Sequence, residues 1–154
     1  MASSTSYTWI WVAIFVLIVA IIIIAIVVPP PGVLPTDYSI QILNQSAGIN
    51  ITVSQVQLIS PGYVVINSDV NGAVGNILGH SELLSGGVWN NVFIKLNTPA
   101  TLGEKLYAFL YVDNGNSTFE LPGDNQAIDN QGNPVEVSFY ITNQTSSQLN
   151  FSSG

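Results

Sequence analysis

Four acidic residues in the second half of the chain are the side chains whose type and spacing best suit a chemical role. They share one Gly- and Asn-rich stretch, DNGNSTFELPGDNQAID, in which they stand as Asp113, Glu120, Asp124 and Asp129. Carboxylate oxygens on a flexible loop are ligands that Ca²⁺ prefers. The spacing departs from an EF-hand, whose third and fifth ligand positions would fall on Gly115 and Ser117, and Asn-Gly is also ordinary turn chemistry. The stretch is therefore a weak candidate for a calcium site, with plain turns as the alternative.

Histidine and cysteine, which supply much of the metal and nucleophile chemistry of proteins, are nearly absent. His80 is the one imidazole, and the chain has no Cys. A blue-copper site needs two His and a Cys, and the same inventory excludes structural zinc, haem attachment through Cys and a thiol nucleophile. A Ser-His-Asp triad has no G-x-S-x-G turn to present its Ser. We therefore expect no catalytic residue, no cofactor and no enzymatic activity, with His80 a half-exposed strand or loop residue.

The charge balance argues against a nucleic-acid partner. Only 7% of residues are charged, and nine acids stand against Lys95 and Lys105 for a net charge of −7. Binding to phosphates requires clustered Lys or Arg that release counterions, and the chain has no such cluster. Amides and hydroxyls must therefore supply most of the polar surface.

Residues 7–28 give the strongest signal for a single element. They read YTWIWVAIFVLIVAIIIIAIVV without charge, Gly or Pro, and as a helix they would span about 33 Å, which matches a hydrocarbon core. Tyr7, Trp9 and Trp11 lie at one end, where aromatic rings prefer the membrane interface, and the run PPPG would end the helix. Cleavage as a signal peptide or pilin-type processing is the alternative. We predict a cytoplasmic tail over residues 1–6, a transmembrane helix over 7–28 and a Pro-rich spacer over 29–37.

Potential glycosylation sites indicate the orientation of this predicted single-pass membrane protein. Five Asn-X-Ser/Thr acceptors follow the helix, at Asn44, Asn50, Asn116, Asn143 and Asn150. A chain rich in Asn, Ser and Thr produces some of these by chance, but their joint placement favours an extracytoplasmic domain. We expect the N-terminus in the cytoplasm and the C-terminal domain outside the cell, with the lipid bilayer as one partner.

Beyond the spacer, apolar residues recur with the period-two alternation of strands. The clear segments are residues 38–43, 49–59, 63–67, 88–97, 105–113 and 134–142, with a weaker one at 76–84, and turn residues separate them. We predict a mostly β domain over residues 38–142, a seven-stranded antiparallel immunoglobulin-like β-sandwich, and then a flexible tail over 143–154. The aromatic row Tyr107, Phe109 and Tyr111 would be buried in the sandwich or beneath a loop, or would form a subunit interface.

Three runs in this domain carry a resemblance to a known family. They are GYVVINSDVNGAVGNILGHSELL, LYAFLYVDNGNSTFELPGDNQAI and NPVEVSFYIT, within residues 51–142. They resemble a family of extracytoplasmic β-domains of unknown function from archaeal, and some actinobacterial, surface proteins. The matching positions are Gly62, Val64, Val65, Ile66, Gly75, Gly79, Leu106, Tyr107, Ala108, Leu110, Val112, Asp113, Gly115, Phe119, Pro122 and Gly123. The family often places His where Tyr111 stands here. The resemblance implies a β fold and a cell-surface location, and no activity.

Three functions fit these observations. The first is a structural or accessory subunit of a membrane or surface complex, such as a respiratory or sulfur-oxidising one, with protein partners bound through the helix and the β-domain. The second is a pilin-like subunit of an archaeal surface filament. The third is a ligand-binding or adhesion module at the cell surface. We favour the first, a non-enzymatic envelope protein.

Overall fold

The computed structural model describes residues 35–143 of the chain. Within that range every regular element is a strand, and these residues include no candidate membrane-spanning helix. The helix predicted at residues 7–28, with Tyr7, Trp9 and Trp11, lies outside the described residues. Asn150 and most of the predicted tail also lie outside them.

Eight strands form two antiparallel sheets. In chain order they are β1 (Ser39–Gln41), β2 (Gly48–Leu58), β3 (Gly62–Val70), β4 (Ala73–His80), β5 (Gly87–Ala100), β6 (Lys105–Val112), β7 (Asn125–Gln126) and β8 (Glu136–Tyr140). The first sheet has the order β1-β2-β5, and the second has the order β4-β3-β6 with β7 and β8 both paired to β6. The prediction of a mostly β, antiparallel domain is confirmed. Each of the seven predicted segments overlaps one strand, and the two-residue β7 is the additional one.

The two sheets share one hydrophobic core. Its most deeply buried members, each exposed by 2% or less, alternate along β2, β3, β5, β6 and β8, and include Ile51, Val53, Val64, Ile66, Ile94, Leu96, Leu106, Leu110 and Phe139. β6 is buried on both faces, because Tyr107 and Phe109 on its opposite face are only 9% and 6% exposed. Burial is therefore the correct interpretation for these two members of the aromatic row.

Gln45 joins the two sheets along one margin of the domain. Its backbone amide donates to the carbonyl of Tyr140 in β8 at 3.2 Å, and its own carbonyl accepts from Thr142 at 2.9 Å. Its side-chain oxygen accepts from the backbone amide of Thr52 in β2 at 2.8 Å, and its side-chain nitrogen donates to the Thr52 carbonyl. One residue thus satisfies backbone groups of both sheets, which protects their edges from pairing with other chains.

At the opposite margin, β4 of the second sheet lies directly against β5 of the first. The contact is made at Gly79, where an added Cβ would lie 2.5 Å from the carbonyl oxygen of Lys95. Backbone atoms at that position cannot rotate away as a side chain does. Only glycine therefore permits the close approach of the two strands.

Replacing Gly79 with alanine tests this contact. We expect Gly79→Ala to lower the free energy of unfolding by about 2 kcal/mol, because the new methyl group forces β4 away from β5. Gly48→Ala is the matched control: an added Cβ there meets nothing within 4 Å, so its effect should stay within about 0.5 kcal/mol or be slightly stabilising. Urea unfolding followed by tryptophan fluorescence measures both, and equal effects of the two substitutions would contradict the proposed close approach.

Candidate functional site

The acidic loop, residues 113–124, uses its carboxylates to hold its own backbone. Asp113 accepts hydrogen bonds from the amides of Gly115 and Ser117, each at 3.1 Å. The buried Asp124 accepts from the amides of Asn114 at 3.0 Å and Glu120 at 3.1 Å. These are the hydrogen bonds by which Asp and Asn side chains stabilise turns.

The other two calcium candidates also bond to nearby groups. Glu120 accepts from the side-chain amides of Asn114 at 3.1 Å and Asn116 at 2.8 Å. Asp129 accepts from the backbone amides of Asn133 at 2.8 Å and Gln131 at 2.9 Å. The hydrogen bond from the Asn133 amide is the main reason that the pKa of Asp129 lies below its ordinary value.

The four acids do not come together as a metal site. Across residues 35–143 the structure holds no group of three or more His, Asp or Glu side chains that could bind a metal ion. Their carboxylate oxygens instead accept hydrogen bonds from loop amides. In the described residues these carboxylates make the hydrogen bonds of turns, and the calcium hypothesis stays a prediction.

Phe119 of the acidic loop packs against aromatic side chains of the second sheet. Its ring lies 4.8 Å from His80, 5.5 Å from Tyr63 and 5.7 Å from Tyr111 between ring centroids. These three side chains form a cradle for it, and each such contact adds about 0.5–1.5 kcal/mol beyond the burial of its area. Phe119 is the residue whose role the sequence did not reveal, since one Phe in a polar stretch gives no periodic signal.

His80 is exposed at the end of β4, as the sequence predicted for a structural residue. Its Nδ1 lies 2.8 Å from the backbone carbonyl of Ser81 and therefore carries the ring proton in the neutral form. The ring packs against Phe119 and edge-on to Tyr63. Within the described chain, His80 is thus one of the three side chains that pack around Phe119 in the aromatic cradle.

The hydroxyl of Tyr63, in the same cradle, is buried and has no hydrogen-bond partner within the described part of the chain. Burial raises the pKa of Tyr63, and the nearby carboxylates of Asp113, Asp124 and Glu82 raise it further. The phenol therefore stays protonated and cannot act as a base near neutral pH.

A polar cleft of about 450 Å³ lies where β3, β4, β5 and β6 come close to one another. Its lining includes Asp69 and Lys105, which Tyr107 connects by hydrogen bonds: the Tyr107 hydroxyl accepts from Lys105 Nζ and donates to Asp69 Oδ1, both at 2.9 Å. Lys105 and Asp69 form an ion pair at 3.9 Å. Asp69 also accepts from the amide of Gly72, in the Asn71-Gly72 turn that joins β3 to β4.

These contacts set the charges in the cleft. The amide of Gly72, and next the Tyr107 hydroxyl, hold the pKa of Asp69 below its ordinary value of 3.8. The hydrogen bond with the Tyr107 hydroxyl raises the pKa of Lys105 above 10.5. Both groups remain charged and bonded to one another at neutral pH. The cleft therefore offers a stabilised ion pair, and neither group is a free base or nucleophile.

The predicted glycosylation acceptors are accessible where the structure describes them. Asn44, Asn50, Asn116 and Asn143 are all exposed. Asn116 lies in the acidic loop, where its side-chain oxygen accepts from the amide of Thr118 at 2.9 Å. Asn50 lies in β2, opposite Lys95 of β5.

Comparison with known proteins gives a matching domain family and named relatives. A family model described as a domain of unknown function (DUF7282) matches residues 38–142. Two relatives from Haloarcula hispanica are named cell surface glycoprotein 2 and cell surface glycoprotein 1, and they are 31% and 28% identical to this chain over 99 residues. Those residues are 64% of this chain but only 10% and 11% of the two relatives. No solved structure matches the chain.

Two tyrosines of the second sheet provide a matched test of these contacts. We expect Tyr107→Phe to lower the free energy of unfolding by about 1–2 kcal/mol, because it breaks the bonds to Lys105 and Asp69. Tyr63→Phe removes a buried hydroxyl that has no partner, so it should leave stability unchanged or raise it. Chemical denaturation of both variants measures the difference, and a larger loss for Tyr63→Phe would contradict the assigned network.

The same network predicts a pH dependence. A carboxylate with a lowered pKa contributes stability that is complete above its unfolded pKa of 3.8 and is lost as the pH falls through the lowered value. In an NMR titration of the side-chain carboxyls, Tyr107→Phe should move the pKa of Asp69 towards 3.8, without reaching it while Gly72 still donates. The pKa of Asp129 is the internal control and should not change. An unaltered Asp69 titration would show that Tyr107 does not bond to it in solution.

Proposed function

The chain belongs to the DUF7282 family, and from this membership we propose that it is a non-enzymatic protein of the archaeal cell envelope. The observation that carries the proposal is the 31% identity, over 99 residues, to a protein named cell surface glycoprotein 2. The chain spans about a tenth of the length of the relatives it matches. It therefore shares one domain with them, and their remaining functions need not be its own.

The geometry of the domain supports a structural role. Its acidic loop is stabilised by its own carboxylates, and Lys105 and Asp69 of its cleft form an ion pair. Polar groups that bond internally make a rigid scaffold rather than a reactive surface. We assign the two sheets to an immunoglobulin-like β-sandwich, an architecture that many cell-surface domains share.

We assign the anchor to residues 7–28. Their composition supports a single membrane-spanning helix, and the exposed acceptors Asn44, Asn50, Asn116 and Asn143 support an extracellular domain. In this arrangement the bilayer is the first partner, and the helix and the domain bind other subunits of a membrane or surface complex. A pilin-like filament subunit is the alternative that the following experiment separates.

Membrane anchoring can be tested with the full chain, tagged at its C-terminus and expressed in an archaeal host. We expect it in the membrane fraction after a carbonate wash, and we expect protease added to intact cells to remove the tag. Ile18→Lys places a charge at the centre of the predicted helix, at a cost of about 3 kcal/mol, and should release part of the protein from the membrane. Ser6→Lys, outside the apolar segment, is the matched control and should stay anchored.

Three results would overturn parts of this proposal. A soluble cytoplasmic protein would refute the envelope location. A mature N-terminus beyond Pro29 would refute the anchor and favour a secreted or filament protein. A tag protected from external protease would refute the orientation. Identifying the proteins that co-purify in mild detergent would then name the partner complex.

A further inference from the structure

The ladder between β2 and β5 places one glycosylation acceptor beside an exposed aromatic ring. Asn50 pairs with Lys95, Ile51 with Ile94, and Thr52 with Phe93. Ile51 and Ile94 point into the core, with exposures of 0% and 1%. Because side chains alternate along a strand, their neighbours Asn50, Thr52, Phe93 and Lys95 share the outer face of the first sheet.

Phe93 is unusually exposed for a large aromatic residue in the middle of a long strand. It leaves 73% of its surface in water, as much as any other large apolar side chain in the described part of the chain. Single exposed apolar residues are common on protein surfaces, so exposure alone carries no conclusion. The position of Phe93 is informative: it lies directly opposite Thr52, the third residue of the acceptor Asn50-Ile51-Thr52, and diagonal to Asn50 itself.

The distances across such a ladder suit a sugar. Diagonal neighbours on one face of an antiparallel pair are roughly 7 Å apart, which is within reach of an aromatic side chain. A sugar attached to Asn50 has one face rich in C–H bonds, and that face can lie on the negatively polarised face of a phenyl ring. Lys95, directly opposite Asn50, has an ammonium group that can donate to the sugar hydroxyls.

The side chain of Asn50 is also available for the linkage. It makes no hydrogen bond within residues 35–143, whereas the side-chain nitrogen of Asn116 donates to Glu120 at 2.8 Å. A glycan on Asn116 would replace one of the two N–H groups of that nitrogen, so the bond to Glu120 would depend on the other. A glycan on Asn50 affects no such bond.

We propose that Asn50 carries an N-linked glycan whose first sugar packs on the ring of Phe93 and bonds to Lys95. The proposal rests on the proposed function, because only a domain outside the cytoplasm meets the glycosylation machinery. In the modification, Asn50 Nδ2 forms a bond to the anomeric carbon of the first sugar. The bond from that carbon to a phosphate oxygen of a lipid-linked oligosaccharide donor breaks, and the proton lost from Nδ2 accompanies the lipid phosphate that leaves.

In this arrangement the sugar and the ring of Phe93 each have a role. The sugar covers the apolar ring of Phe93, which would otherwise remain in water on the outer face of the sheet. The ring in turn holds the first sugar in one orientation, so that the rest of the glycan extends over β5. A glycan held in this way also hinders other chains from reaching that strand.

The first measurement is site occupancy. The full chain is expressed in an archaeal host that glycosylates Asn-X-Ser/Thr sites, and its glycopeptides are identified by mass spectrometry. We expect Asn50 to be occupied. If other acceptors are occupied and Asn50 is not, this inference is wrong while the surface location stands. If no acceptor is occupied, the inference is wrong, and the fractionation experiment above decides the location separately.

The second measurement is a double-mutant cycle on the glycosylated full chain. Wild type, Phe93→Thr, Asn50→Gln and the double variant are compared by thermal unfolding. For the two proteins that retain Asn50, only the fraction glycosylated at Asn50 is used. We expect Phe93→Thr to lower the Tm by about 3 °C more when the glycan is present than when Asn50→Gln has removed it.

Two controls identify the source of the coupling. The same four proteins from a bacterial host without N-glycosylation should show no coupling, which excludes a direct contact between Asn50 and Phe93. Ile128→Thr changes an apolar residue of 55% exposure in the β7–β8 connection, and its effect on the Tm should be the same with and without the glycan. An occupied Asn50 with no coupling to Phe93 would overturn the packing, and would leave the exposed ring to a protein partner.

Discussion

Two contacts between the sheets, one at Gln45 and one at Gly79, set the shape on which the other features depend. Gln45 bonds to β8 through its backbone and to Thr52 of β2 through its side chain. Gly79 lets β4 lie against the carbonyl of Lys95 in β5. The sheets are thereby joined along both margins, so the hydrophobic core between them is closed at its sides as well as covered by the two sheets. The outer faces are then free to carry the acidic loop on one sheet and the Asn50 face on the other.

The chain reaches this arrangement with very little charge. The described residues contain a single ion pair, Lys105 with Asp69, and most polar contacts are made by amides, hydroxyls and carboxylates that bond to backbone groups. Bonds of this kind are less sensitive to salt than surface ion pairs. The net charge of −7 is compatible with a structural domain, because many of the carboxylates accept hydrogen bonds from other groups of the fold.

Period-two alternation, with the turn residues between segments, predicted seven of the eight strands. The resemblance to a surface-protein family is confirmed by the match over residues 38–142. The alternation missed β7, whose two residues are too few to alternate. It also missed an irregularity in β2, where the buried positions are first Ile51 and Val53 and then Val56 and Leu58, so the alternation shifts by one residue. Asn91 of the partner strand β5, near this shift, has a φ of 53°. The cradle around Phe119 and the Tyr107 network depend on contacts between residues far apart in the chain, which alternation along a strand does not reveal.

The bridge between Gln45 and Ile141 is the one parallel pairing among the antiparallel ladders of the described chain, and it lies close to both ends of the domain. The segment that enters the domain and the segment that leaves it run side by side in the same direction, held by bonds from Gln45 to Tyr140 and from Thr142 to Gln45. A force that draws the two ends apart therefore slides these segments past each other, and the bonds resist it together instead of opening one after another. This gives the domain mechanical resistance along the line through its two ends.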